Sequence, residues 1–116
     1  KGRNKKFEAR AYNSLGVASH LQGDFIQAVK FHKKALGIRL VIKDKIGIAA
    51  SYGNIGSAFE GLSDFTQALD YYLKSLKIEE EIEEHLGVRS KNPEEVLRDA
   101  AVVLFRRMQE REDLLP

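Results

Sequence analysis

The sequence contains one pattern twice, at a spacing that constrains the fold more than any other feature. When the chain is shifted by about forty residues, Tyr12 falls on Tyr52 and Gly16 falls on Gly56. The same shift pairs ten further positions. Ala18 falls on Ala58, Asp24-Phe25 on Asp64-Phe65, and Gln27-Ala28 on Gln67-Ala68. Further along, the matched pairs are Lys34 with Lys74, Leu36 with Leu76, Ile38 with Ile78, Ile42 with Ile82, and Gly47 with Gly87. A fixed period of this size indicates stacked helical repeats.

Length and composition are those of one ordinary globular domain. The chain has 116 residues, of which 43% are hydrophobic and 31% are charged. It has no cysteine, which excludes disulfides and thiolate metal sites and agrees with a cytoplasmic location. Its longest apolar run, Ala100 to Phe105, is too short to span a bilayer, so no membrane partner is predicted. Because the sequence does not begin with Met, we expect it to be part of a longer protein.

Charge is distributed unevenly between the two copies. Residues 1–46 contain 11 basic and 3 acidic side chains, a net charge of +8, whereas residues 47–92 carry −4 and residues 93–116 carry −2. This polarity could attract an acidic partner to the first repeat or let molecules stack head to tail. A chance difference between two solvated surfaces is the alternative. Residues 1–6 form a basic lead-in that matches the end of a preceding repeat; with no aromatic residues interleaved, no nucleic-acid partner is predicted.

Hydrophobic periodicity predicts two helices in the first copy, from about Phe7 to Leu21 and from about Phe25 to Lys43. Gly16 is expected to admit a closely packed helix, Gly23 to end the first helix, and Asp24 to cap the second. The predicted inner face of the first helix consists of Ala11, Tyr12, Leu15, Ala18 and Leu21. That of the second helix consists of Phe25, Ala28, Val29, His32, Ala35, Leu36 and Leu40, with Lys30, Lys33, Lys34 and Arg39 outward.

The second copy predicts helices from about Ile48 to Gly61 and from about Phe65 to His85. Their inward residues are Tyr52, Ile55, Ala58, Phe59 and Leu62, followed by Phe65, Ala68, Leu69, Tyr72, Leu73, Leu76 and Ile82. Ser63-Asp64 replaces Gly23-Asp24, so the turn keeps its cap but not its glycine. Five glutamates between positions 79 and 84 oppose the helix dipole and should favour fraying of that end.

A third copy does not follow. The positions that should continue the pattern hold Asn92 and Val96, and the run from Asn92 through Pro93 to Glu95 is instead a helix start. A helix to about Arg111 would carry one apolar face: Leu97, Ala100, Ala101, Leu104, Phe105 and Met108, widened by Val96 and Val103. We therefore expect its second side to be an interface with another copy, a partner or another element, formed by Val96, Val102, Val103 and Phe105. A simple capping helix is the alternative.

The residues that repeat resemble a known family. The series Tyr12-x-x-Leu15-Gly16, Gly23-Asp24-Phe25-x-x-Ala28 and Ala35 resembles the tetratricopeptide repeat, and the second copy matches it again. The long period is similar to the subclass seen in Pins/LGN-type adaptors, kinesin light chains and bacterial sensor proteins. The resemblance implies an all-α, right-handed array of two helix–turn–helix pairs, about 7–46 and 47–88 within a unit 1–92, followed by one C-terminal helix in 93–116.

No pattern in the chain points to catalysis. His20, His32 and His85 have no metal-binding spacing, and there is no phosphate-binding glycine loop. His32 lies on an inward helical position and is interpreted as a satisfied core side chain. We predict that the protein is not an enzyme and binds no metal or cofactor.

The resemblance also implies where a partner binds, because the family uses the concave surface formed by the first helix of each pair. The residues on that side are Arg10, Asn13, Val17, His20, Ala50, Gly53, Asn54, Ser57 and Glu60. Asn13 and Asn54 are the main candidates, since an amide both donates and accepts hydrogen bonds. Ordinary solvated helix residues are the alternative.

Two functions follow from these observations. The first is a non-catalytic adaptor or signalling scaffold that binds a protein or peptide segment on its concave face. The second is a self-association or regulatory module of a larger signalling protein, which forms a homodimer through the C-terminal helix.

Overall fold

The computed structural model describes residues 2–87 and 93–114, with the side chains of 4–87 and 94–111. These ranges contain five α-helices and no strand: α1 Gly2–Leu21, α2 Phe25–Val41, α3 Lys45–Gly61, α4 Phe65–Leu86 and α5 Pro93–Leu114. Helix α1 packs on α2, α2 on α3, α3 on α4, and α4 on α5. The predicted all-α repeat array is therefore confirmed. The predicted cap Asn92 lies outside the described residues.

The first three turns share one conformation. The second residue after each helix end has a positive φ, +80° at Gly23, +58° at Lys43 and +61° at Ser63. The next residue is an aspartate whose Oδ1 accepts the backbone N–H three residues later, at 3.1–3.2 Å, in Asp24, Asp44 and Asp64. Each aspartate thus satisfies a donor at the start of the following helix. The predicted roles of Gly23 and Asp24 are confirmed.

Four helix bounds differ from the sequence prediction. Helix α3 begins at Lys45 rather than Ile48, because Asp44 is a cap of the same kind as Asp24. Helix α2 accordingly ends at Val41 rather than Lys43. Residues 2–6 are not a separate lead-in, because α1 already begins at Gly2. Helix α4 runs one residue beyond His85 and ends before Gly87, whose φ is +73°.

Two glycines set the distance between the helices of each pair. A Cβ atom on Gly16 would lie 2.7 Å from the ring of His32, and one on Gly56 would lie 2.8 Å from the ring of Tyr72 and 3.1 Å from the Ala68 carbonyl. No real side chain tolerates such distances, so both positions require glycine for close packing. This confirms the predicted role of the two residues.

The predicted inner face of α1 is wrong. Leu15 is 47% exposed and Leu21 is 81% exposed, and Ala11 and Ala18 are also exposed. The equivalent residues of α3 are Ser51, Ile55 and Ala58, each 0% exposed. Helix α2 packs on α3, whereas no helix of the described chain lies on the corresponding side of α1. Periodicity thus places these apolar residues on one side of α1, but it does not show whether another helix covers that side.

Other burial predictions were also wrong. Arg39, expected outward, is only 8% exposed, because its Nη1 donates to the Gly47 carbonyl at 3.2 Å and to Ser51 Oγ at 2.9 Å. Leu40, Leu62 and Leu73, expected inward, are exposed. Within the described ranges, no helix is long and apolar enough to cross a membrane.

Replacing Gly56 by alanine should destabilise the protein by about 2 kcal/mol, because the new methyl group would collide with the Tyr72 ring and the Ala68 carbonyl. Gly37 provides the matched control. It is also helical, but a Cβ there would meet nothing within 4 Å, so Gly37→Ala should stabilise by about 1 kcal/mol. Urea unfolding of both variants measures the difference, and equal free energies of unfolding would contradict the packing role of Gly56.

Candidate protein-interaction surface

Two asparagines join the inner helices of the two pairs. Asn54 Nδ2 on α3 donates to Asn13 Oδ1 on α1 at 2.9 Å, and both side chains are partly buried. This bond uses one N–H of Asn54 and the carbonyl of Asn13. The chemistry of the amide leaves the NH₂ group of Asn13 and the carbonyl of Asn54 with hydrogen-bonding capacity.

A cavity of about 160 Å³ lies beside this amide pair. It is lined by Val17, His20, Leu21, His32, Asn54 and Ser57. Four of the residues that the sequence predicted for the concave surface therefore meet at one place. The ring of His20 also packs edge-on against Phe25, with centroids 5.0 Å apart, which ties the cavity to the first turn.

Three other predicted residues lie apart from the cavity. Arg10 is exposed and its guanidinium lies 6.0 Å from the centroid of the Phe7 ring. Gly53 faces α4, since a Cβ on it would lie 3.7 Å from Ser75 Oγ. Glu60 already binds α5, because Arg107 Nη1 donates to both of its carboxylate oxygens at 2.8 Å.

His32 is buried as predicted, at 1% exposure, but it is not satisfied. Its Nδ1 atom is buried and has no hydrogen-bond partner. Burial, followed by the nearby His20 and Arg39, lowers the pKa of His32 to about 4. The ring is therefore neutral at pH 7. A neutral imidazole beside the cavity contributes one donor and one acceptor rather than a charge.

Tyr72 is the second-repeat equivalent of His32 and makes a contact that His32 does not. Its hydroxyl donates to Glu60 Oε1 at 2.8 Å. Burial, and then this hydrogen bond to an anion, raises the pKa of Tyr72 to about 12. Glu60 of α3 thus accepts hydrogen bonds from Tyr72 of α4 and from Arg107 of α5, and so connects three helices.

Helix α5 lies on α4 with little burial. Among residues 94–111, Leu104 is the one buried side chain, at 5% exposure. A cavity of about 460 Å³ lies on each side of this contact; Tyr72, Leu76 and Val103 are among the residues of one, and Leu69, Leu73 and Phe105 among those of the other. Besides Arg107, the polar contacts of α5 include Arg111, which donates to Ser63 Oγ and lies 5.6 Å from the Phe65 ring centroid.

The four residues predicted for an interface on α5 differ in their surroundings. Val102, Val103 and Phe105 are 50%, 45% and 57% exposed, whereas Val96 is partly buried beside the α4 contact. Val102 and Phe105 line an open groove on the outer side of α5 that is formed by residues of this helix alone. An apolar outer surface is therefore present on this helix.

Sequence reasoning missed three residues of this region. His32 was assigned to the core alone, although its alignment with Tyr72 marks it as the ring that faces the inner helix. Leu21 was expected to be buried and instead lines the cavity. Arg107 carried no sequence signal, because its partner Glu60 is 47 residues away.

The described residues contain no group of three or more His, Cys, Asp or Glu side chains that could hold a metal ion. The surface is built from amides, a hydroxyl, imidazoles and aliphatic side chains. Such groups bind by hydrogen bonding and by apolar contact.

Comparison with protein families identifies the class of the chain. A model of the tetratricopeptide repeat matches residues 7–81, which include both helix pairs up to the acidic part of α4. The chain belongs to the tetratricopeptide-repeat family, whose members generally mediate protein–protein interaction and are typically non-catalytic scaffolds. A search of curated proteins gave no match.

Acid should destabilise the fold through His32. Its pKa is about 4 in the folded chain and near 6.5 when unfolded, so between these values the unfolded chain binds more protons. The stabilisation is complete above pH 6.5 and is lost as the pH falls toward 4. From about pH 7.5 to about pH 4.5, the native protein should lose about 2 kcal/mol more unfolding free energy than His32→Phe.

Urea unfolding at the two pH values measures this difference. His85→Gln, which removes an exposed histidine at the end of α4, should keep the pH dependence of the native protein. Parallel pH profiles for the native protein and His32→Phe would show that His32 does not carry the effect.

Proposed function

We propose that the concave surface of α1 and α3 binds a peptide segment of another protein. The observation that carries this proposal is the meeting of Asn13, Asn54 and a cavity at the junction of the two inner helices. The amide pair can hydrogen-bond a peptide backbone. The cavity of about 160 Å³ has the volume of a few water molecules and accepts one aliphatic side chain of the peptide.

The charge of the first pair supports an acidic segment as the partner. Residues 1–46 carry a net charge of +8, and Arg10 is exposed on α1, one helical turn before Asn13. At the other end of the surface, Glu60 is neutralised by Arg107 rather than exposed as an isolated anion. A peptide with acidic residues on the α1 side and an apolar residue at the cavity is therefore the best match.

A displayed random-peptide library, selected on the native protein, supplies the probe. We expect the best selected peptide to bind Asn13→Ala/Asn54→Ala at least about tenfold more weakly, by calorimetry or fluorescence polarisation. Gln27→Ala/Gln67→Ala is the matched control, since it also removes one amide from each pair but lies on α2 and α4. A peptide that binds all three proteins equally would contradict the assignment.

A second function has separate support in the outer surface of α5. Val102 and Phe105 are exposed there along an open groove of this helix. Burying these side chains against a second copy would remove apolar area from water and form a symmetric dimer.

Sedimentation at several protein concentrations tests this second function. If α5 mediates dimerisation, Val102→Glu should make the chain monomeric, because it places a charge in the interface. Val41→Glu introduces the same charge at a 79% exposed position on α2 and should leave the dimer intact. A sedimentation profile unchanged by Val102→Glu would reject α5 as the interface.

A further inference from the structure

One side of α1 is apolar and exposed in the described chain. We define the α1 face as Ala11, Leu15, Ala18 and Leu21, all of which are exposed. At the equivalent positions α3 has Ser51, Ile55, Ala58 and Gly61, of which the first three are fully buried. The α1 face therefore occupies the position of a surface that the protein covers elsewhere, with Ala11 in place of Ser51 and Leu21 in place of Gly61.

The contact between α2 and α3 shows what covers such a surface. The start of α2 meets the end of α3, since a Cβ on Gly61 would lie 2.5 Å from the Phe25 ring. Val29 and Ala58 share the hydrophobic core in the middle. The end of α2 meets the start of α3, where Arg39 bonds to Ser51 and to the Gly47 carbonyl. The two helices are antiparallel, and the covering helix is the second helix of a pair.

Helix α4 is the other second helix in the chain. Phe65 and Leu69 stand where Phe25 and Val29 stand in α2, and with Leu73 they line a groove that faces α5. We call Phe65, Leu69 and Leu73 the α4 groove. In sequence and in placement, it is the surface that receives a first helix such as α1 or α3.

Helix α5 fills this place incompletely. It runs antiparallel to α4, with Val96 beside Glu79 at one end and Arg111 over Phe65 at the other. However, it buries only Leu104 among residues 94–111 and leaves two cavities of about 460 Å³. Loosely packed apolar surfaces lose dispersion contacts, so a better-fitting helix can compete for the same groove.

Charge selects α1 as the competing helix. If α1 lies on α4 as α3 lies on α2, the start of α1 lies beside the end of α4. The start of α1 carries Lys5, Lys6 and Arg10, and all three are exposed. The end of α4 carries five acidic residues: Glu79, Glu80, Glu81, Glu83 and Glu84. Two exposed ion pairs within the chain, Lys5 with Glu8 and Lys45 with Glu81, offset part of these charges. Opposite charges therefore meet along this end of the contact.

We propose that a second copy of this chain docks its α1 face in the α4 groove and displaces α5, so that copies stack head to tail. The contact is heterologous, because two different surfaces meet, and each copy keeps one surface of each kind. Leu21 stands in place of Gly61, where the Phe25 ring leaves no room even for a Cβ, so this docking requires the Phe65 ring to turn away from the orientation that Phe25 has. Within one chain, α5 acts as a competitor at high effective concentration, which keeps the association weak.

Sedimentation velocity of the whole chain, over about a hundredfold range of concentration, tests the proposal. Arg107→Ala/Arg111→Ala weakens the hold of α5 and should shift association to at least about tenfold lower concentration. Raising sodium chloride from about 0.05 M to about 0.5 M should weaken the association of this variant, because salt screens the charges at the contact. Circular dichroism checks that each variant remains helical.

Complementation then identifies the two surfaces. In the Arg107→Ala/Arg111→Ala background, Leu15→Glu blocks the α1 face and Leu73→Glu blocks the α4 groove. Each of these variants alone should therefore sediment as a monomer. A mixture of the two should form a one-to-one heterodimer, since one intact surface of each kind remains. Val102→Glu, on the outer side of α5, should leave head-to-tail association unchanged.

Three results would overturn the proposal. They are a chain that stays monomeric after Arg107→Ala/Arg111→Ala, association that persists in Leu15→Glu, and a mixture of the two blocked variants that remains monomeric. Association that Val102→Glu alone abolishes would assign the contact to a symmetric α5 dimer instead.

Discussion

The close contact between a glycine and an aromatic ring within each helix pair determines most of this structure. Gly16 faces His32 and Gly56 faces Tyr72, and in both cases a methyl group would overlap the ring. Because the backbones approach so closely, the ring of His32 is buried and that of Tyr72 is partly buried. Tyr72 reaches Glu60 with its hydroxyl, whereas the Nδ1 atom of His32 has no partner. The two pairs share a packing rule and differ in what surrounds the ring.

That difference separates the two halves of the surface that we propose for peptide binding. In the second pair, the hydroxyl of Tyr72 and the guanidinium of Arg107 both bind Glu60, so this part of the surface is occupied by the protein's own α5. In the first pair, the shorter ring of His32 borders a cavity beside Asn54 and His20. A partner would therefore approach the α1 side of the surface more readily than the α5 side, because it need not break an ion pair there.

The sequence predicted the helix pairs, the caps Asp24 and Asp64 and the packing glycines, since these depend on residues close together in the chain or on the internal repeat. It failed where the outcome depends on a distant partner. Leu15 and Ile55 occupy equivalent positions with the same apolar character, yet one is 47% exposed and the other fully buried. Arg39 carries a charge and would be expected at the surface, but it is buried, because the Gly47 carbonyl and Ser51 Oγ accept hydrogen bonds from its guanidinium. Four predicted site residues lie around one cavity, but no periodicity could reveal that Glu60 binds Arg107.

The exposure of α1 and the loose packing of α5 on α4 also depend on which helices lie next to them. A repeat of this kind covers each helix with the next one, and three or more repeats are usually needed for a stable stack. Within the described residues, one first-helix surface on α1 is uncovered and one second-helix surface on α4 is covered by α5 alone. Helix α5 covers the α4 surface with one buried leucine and two polar side chains, while nothing in the described chain covers the α1 face. The α1 face belongs to the basic part of the chain, and the α4 surface ends in a run of five glutamates, so the two surfaces differ in charge.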